Sequence, residues 1–82
     1  MKLLPVMSSS VAGIGWKAYP DNLTNGQMAV QFVQGKWYLY ERVDIEVFVA
    51  VLMADSIGKA FATFKKYGFA YRETSPEEIA RL

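Results

Sequence analysis

The chain predicts an α+β domain: a three-stranded antiparallel β-meander packed with two α-helices, plus a short C-terminal helix. Three observations predict it. Apolar residues alternate through residues 11–43 between turn-forming breaks, which is the period of strands. From Ile57 onward the apolar spacing lengthens to three and four, the period of a helix. Hydrophobic residues make up 52% of the 82, and the formal net charge is only +1, so the chain has the composition of a folded core and not of a disordered segment.

The first strand covers Val11 to Lys17. Ala12, Ile14 and Trp16 share one face, and Val11, Gly13, Gly15 and Lys17 the other. Glycines on one face of a strand leave room for the close approach of a neighbour. Tyr19 to Gly26 is rich in turn formers, with Pro20, Asp21 and Asn25-Gly26, and reads as a long turn. Met28 to Val33 is the second strand, with Met28, Val30 and Phe32 on one face. Gln34-Gly35 makes a tight hairpin into the third, Lys36 to Val43. There Trp37 and Leu39 share one face, while Tyr38, Tyr40 and Arg42 share the other. Connections this short allow only antiparallel pairing.

Ile45 to Met53 is β-branched at spacing two, yet Asp44 is a good N-cap and Phe48, Leu52 and Met53 continue a helical face, so it reads as a helix. It is apolar nearly all round. Such a helix needs burial on more than one side, which in a short chain implies a partner subunit. The next helix starts at the cap Ser56, with Ile57, Ala60, Phe61 and Phe64 inward, Lys65 and Lys66 in the last turn and Gly68 beyond it. Phe69 to Arg72 reads as a short extended return. Ser75-Pro76-Glu77-Glu78 combines a capping serine, a proline at the first helical position and a glutamate three residues after the cap, and starts a short helix anchored by Ile79 and Leu82.

The order of these pieces resembles a known family. Ser8-Ser9-Ser10 precedes Gly13-Ile14-Gly15-Trp16, Tyr38-Leu39-Tyr40 lies at the centre, and Ser56-Ile57-Gly58-Lys59-Ala60-Phe61 and Tyr71-Arg72 follow. This order is similar to the KTSC domain, named after the C-terminal extension of some lysyl-tRNA synthetases and also found as a stand-alone small protein in bacteria and phages. The resemblance covers roughly residues 3–72. It implies an α+β domain over residues 1–72, with residues 73–82 as a C-terminal helical extension. The synthetase context suggests RNA as a ligand.

Composition narrows the chemistry. With no Cys and no His there is no disulfide scaffold, thiol nucleophile, imidazole base or ordinary zinc site. The carboxylates show no paired-acid spacing, and Ser8, Ser9 and Ser10 have no histidine to activate them. The expectation is therefore a non-enzymatic binding module with no cofactor. Tyr38 and Tyr40, at i and i+2 on one face, would offer a stacking platform for bases, worth about 1–3 kcal/mol each; core packing is the plainer reading. Lys59, Lys65, Lys66 and Arg72 would add a phosphate-binding edge, or else a solvated helix face. Ser56 and Gly58 would present backbone N–H groups to an anion, or act as a simple cap.

Two functions follow. The first is binding of single-stranded RNA or a nucleotide-like phosphate ligand through Tyr38, Tyr40, Ser56, Gly58, Lys59, Lys65, Lys66 and Arg72. The second is an oligomeric protein-interaction module, homo-oligomeric through Ile45, Phe48, Val49, Leu52 and Met53, of the kind a phage effector uses to bind a host protein or sequester a signalling nucleotide. The longest apolar run, Val47 to Ala54, is far short of the ~20 residues a spanning helix needs. No membrane role is expected, and a cytoplasmic location is the default.

Overall fold

The strand pattern folds into a larger sheet than the alternation alone announces. A computed structural model describes all 82 residues. The elements are β1 (Leu4–Pro5), β2 (Val11–Tyr19), β3 (Asn22–Phe32), β4 (Trp37–Asp44), α1 (Ile45–Leu52), α2 (Ile57–Lys65), β5 (Tyr71–Thr74) and α3 (Pro76–Arg81). The sheet has five strands, not three, in the order β1-β2-β3-β4-β5, and every pairing is antiparallel. The two extra strands lie at the edges and are too short for alternation to reveal.

The front face of the sheet holds the larger core. Val11, Ile14, Met28, Val30, Tyr40 and Val43 meet Val51 of α1 and Phe61 and Phe64 of α2. Val11 lies on this face together with Ile14, against the simple alternation, because the register slips between Val11 and Gly13. Such a bulge adds one residue to a strand and turns the side chains before it over. The back face holds Ala29 and Leu39, which bury Ile79 of α3 and pack against Met1, Leu3, Trp37 and Leu82. The glycines of β2 make this possible. A Cβ on Gly15 would come within 2.7 Å of Leu3 Cδ2 and of the Lys2 carbonyl oxygen.

Two boundaries move. Pro20 and Asp21 alone turn the chain, and Asn22–Gly26, expected as part of a long turn, extends β3. The boundary expected between residues 72 and 73 falls inside β5, whose Tyr71–Thr74 pairs along Trp37–Tyr40 of β4. Residues 73–82 therefore finish the sheet and close its back. A further register shift lies opposite the Gly26–Met28 stretch of β3. There Arg42 adopts φ 58°, the only non-glycine residue at positive φ. Its N–H donates to Tyr19 Oη at 3.0 Å, and Tyr19 Oη donates to Glu41 Oε1 at 2.6 Å, which pins the kink.

The helices start as their residues dictate. Ser56 Oγ accepts from the Lys59 N–H, and Ser75 Oγ from the Glu78 N–H. Asp44 stands at the N-cap of α1 but makes no side-chain cap bond. Its Oδ1 instead accepts from Asn25 Nδ2 at 2.7 Å, tying α1 to β3.

Candidate functional site

Tyr40 belongs to the core. It is 4% exposed, with its ring 5.0 Å from Phe64 and 5.7 Å from Phe61 between centroids. Burial, with the neighbouring Tyr71 and Tyr38, pushes its hydroxyl up to about 12. Tyr38 is half-buried, edge-on to Phe32 at 5.6 Å and to Tyr71 at 5.9 Å. The pair expected to form an open stacking platform is covered instead, because α2 lays Phe61 and Phe64 across that face of β4.

The exposed aromatic surface lies one strand further out. Pairing of β5 sets Tyr71 opposite Tyr40, and the two rings stack at 5.4 Å. Tyr71 is 63% exposed and Tyr67 is 71% exposed. Phe69 links Tyr67 to the core, stacked on Phe64 at 4.7 Å and edge-on to Tyr67 at 6.2 Å. A cleft of about 130 Å³ opens here, lined by Tyr40, Phe64, Lys65, Gly68, Phe69 and Tyr71. Gly68 holds φ +75° at the end of α2 and turns the chain into this return. Tyr67, Phe69 and Tyr71 are not among the site residues the sequence predicts. Their mark in the sequence was an aromatic at every second position after the α2 lysines.

The expected cation cluster divides. Lys65 reaches the aromatic cleft. Lys59, Thr63 and Lys66 follow one another at helical spacing along α2 and its C-cap, and Thr63 lines a groove of about 440 Å³ between α1 and α2. Arg72 sits on the back, because it pairs with Leu39, and its guanidinium grips the Glu78 carboxylate in the structure's one ion pair. That hydrogen bond, with a second from Thr74 Oγ1, lowers Glu78 to about 2. Arg72 is thus a strut between β5 and α3 and is not part of the cleft.

Ser56 and Gly58 have structural roles and line neither the cleft nor the groove. Ser8 Oγ accepts from the N–H groups of Ser10 and Val11, both at 3.2 Å, and opens β2. A Cβ on Gly58 would stand 3.3 Å from Ser10 Oγ. The serine run and the Ser-x-Gly motif meet in space, and the glycine lets them.

Of the expected partner contacts, Phe48 turns inward and stacks on Trp16 at 6.3 Å, while Leu52 is half-buried. Ile45, Val49 and Met53 stay exposed. No three acidic side chains gather into a cation cage, and no helix is long and apolar enough to cross a membrane.

The model of the KTSC domain family matches residues 7–69. The fold is similar to the crystal structure of a KTSC domain protein from Yersinia pestis, with a TM-score of 0.75 and 31% identity, covering 90% of this chain and 97% of that one. No curated protein matches the chain.

Proposed function

We propose a non-enzymatic binding function for this chain, which belongs to the KTSC domain family. Its ligand is a base carrying a phosphate, in single-stranded RNA or a nucleotide, and its site is the corner formed by Tyr71, Phe69, Tyr67 and Lys65. One observation carries the reading: the aromatic cleft beside the exposed Tyr71 ring has Lys65 in its lining, and Lys65 joins no ion pair. Stacking on exposed aromatics with a neighbouring cation is the general chemistry of single-strand recognition. The lack of His and Cys fits binding, since the usual proton shuttles near neutral pH are missing.

Fluorescence titration with short single-stranded RNA at low salt tests this. The affinity falls as salt rises, because phosphate contacts release counterions. Tyr71→Ala weakens binding about tenfold, within the ~1–3 kcal/mol of one stacked base. Lys65→Gln lowers the salt slope by about 1. No binding at low salt, or binding indifferent to salt and to Tyr71, contradicts the reading.

The groove between α1 and α2 favours a second reading, an oligomeric protein-interaction module. The two sites adjoin: Lys65 and Tyr71 line only the cleft, Val47, Ala50, Thr63 and Tyr67 only the groove, and Phe64 and Phe69 line both.

A further inference from the structure

α1 is thinly covered for so apolar a helix. Val51 is its one buried residue. Ile45, Val49 and Met53 recur every four residues and form an exposed stripe, with Val49 44% and Met53 75% exposed. Ala50, exposed beside the stripe, also lines the groove of about 440 Å³ between α1 and α2. Across the groove stand Ala60, Phe64, Tyr67 and Phe69. Stripe and groove thus make one continuous apolar face, of the kind that marks an interaction surface on a small protein.

The charges around this face say what covers it. Residues 44–55 carry Asp44, Glu46 and Asp55 and no cation. Residues 56–66 carry Lys59, Lys65 and Lys66 and no anion. Within one chain these opposite charges form no ion pair, since the one pair present is Arg72–Glu78. Glu46 lines the groove from the α1 side, and Lys59 and Lys66 flank Thr63 on the α2 side. The face therefore carries both halves of a complementary pattern: an acidic apolar helix and a basic wall. An isologous contact needs a surface that matches itself when turned about a two-fold axis.

We propose that a second copy of this chain covers the face, each α1 laying Ile45, Val49 and Met53 into the α1–α2 groove of the other. The Glu46 side of each copy then meets the Lys59–Lys66 row of its partner, and the contact occurs twice. This deepens the interaction reading alone. Its failure would leave the RNA titration at Tyr71 and Lys65 unaffected.

Sedimentation equilibrium of the full chain from low micromolar to near-millimolar concentration tests the dimer. A reversible monomer–dimer equilibrium that weakens with added salt is expected. Val49→Glu, at an exposed position, keeps the monomer's circular dichroism and raises the dissociation constant at least tenfold. Glu46→Lys, and separately Lys59→Glu with Lys66→Glu, each weaken the dimer. Combining all three changes restores it, because every cross-pair is then reversed. A monomer at every concentration overturns the proposal. So does a dimer that Val49→Glu leaves intact, which would place the interface elsewhere. So does a monomer that takes up an apolar dye that Val49→Glu or a Tyr67→Ala variant releases, which would make the groove a small-molecule site.

Discussion

The two faces of the sheet are closed by opposite means. The front is filled by large side chains: nine buried residues, among them Tyr40, Phe61 and Phe64, meet under two helices. The back is built by leaving side chains out. Gly13, Gly15 and Ala29 keep it low, so that the N-terminal segment and the short α3 settle onto Leu39 with three residues buried. The front is held by burial, which grows with apolar area. The back leans on a few local devices: two glycine gaps, the Met1 ammonium donating to the Ile79 carbonyl at 2.9 Å, and the exposed Arg72–Glu78 pair. The front should therefore set global stability, and the back should open on its own.

Removing a ring from the front has the largest expected effect. Phe64 is 1% exposed and packs against Tyr40, Phe61 and Phe69. Phe64→Ala should cost about 3–5 kcal/mol in denaturant unfolding, a large share of the ~5–15 kcal/mol typical of a domain. On the back, Ile79→Ala should cost about 2 kcal/mol, at the low end for a buried isoleucine, because α3 can lift away and limit the damage. A loss equal to that of Phe64→Ala would break the contrast between the faces.

Gly15→Ala should act on the back alone. Its Cβ would meet Leu3 Cδ2 and the Lys2 carbonyl oxygen at 2.7 Å. Overpacking of this size costs about 1–3 kcal/mol. Hydrogen exchange should speed up in residues 1–5 while the amides of β3 and α2 keep their protection.

The smallest effects at neutral pH become visible at the extremes, with a different face responding at each. Tyr40 is raised from 10 to about 12 by burial. Its contribution is full below pH 10 and is lost as pH climbs from there towards 12, since the unfolded chain then releases a proton that the folded one holds. Glu78 is lowered from 4.5 to about 2 by the Arg72 and Thr74 hydrogen bonds. Its contribution is present above pH 4.5 and fades as pH falls towards 2. Alkali should loosen the front and acid the back. Tyr40→Phe should flatten the alkaline limb of the stability curve, and Glu78→Gln the acid limb.

The front was legible in the sequence because its devices are patterns. Period-two alternation marks β3 and β4, and Ile57, Ala60, Phe61 and Phe64 spell out α2. The back was legible only in pieces: Ser75, Pro76 and Glu78 announce α3 with its anchors Ile79 and Leu82, and the β2 glycines announce a close neighbour, but what joins these pieces is a set of single contacts. β1 has two residues and β5 four, too few for a period to show. Trp37 and Leu39 read as half of an alternation, and nothing local says that a helix some forty residues later returns to cover them. The candidate site failed in the same way. Tyr38 and Tyr40 stood out at i and i+2, while Tyr71 became their outer neighbour only through the long-range pairing of β5. The lysines shared a short stretch of sequence, but the helix sends Lys65 to the cleft and sets Lys59 and Lys66 in the row of Thr63, away from it.

Amide-resolved NMR titration with a short single-stranded RNA tests the central claim most directly, because it reports both faces at once. Shift changes should concentrate on Lys65 to Tyr71 and leave Ala29, Leu39 and Ile79 of the back face unmoved. Changes centred on the back face, or none anywhere at low salt, would contradict a ligand surface at the outer edge of the front.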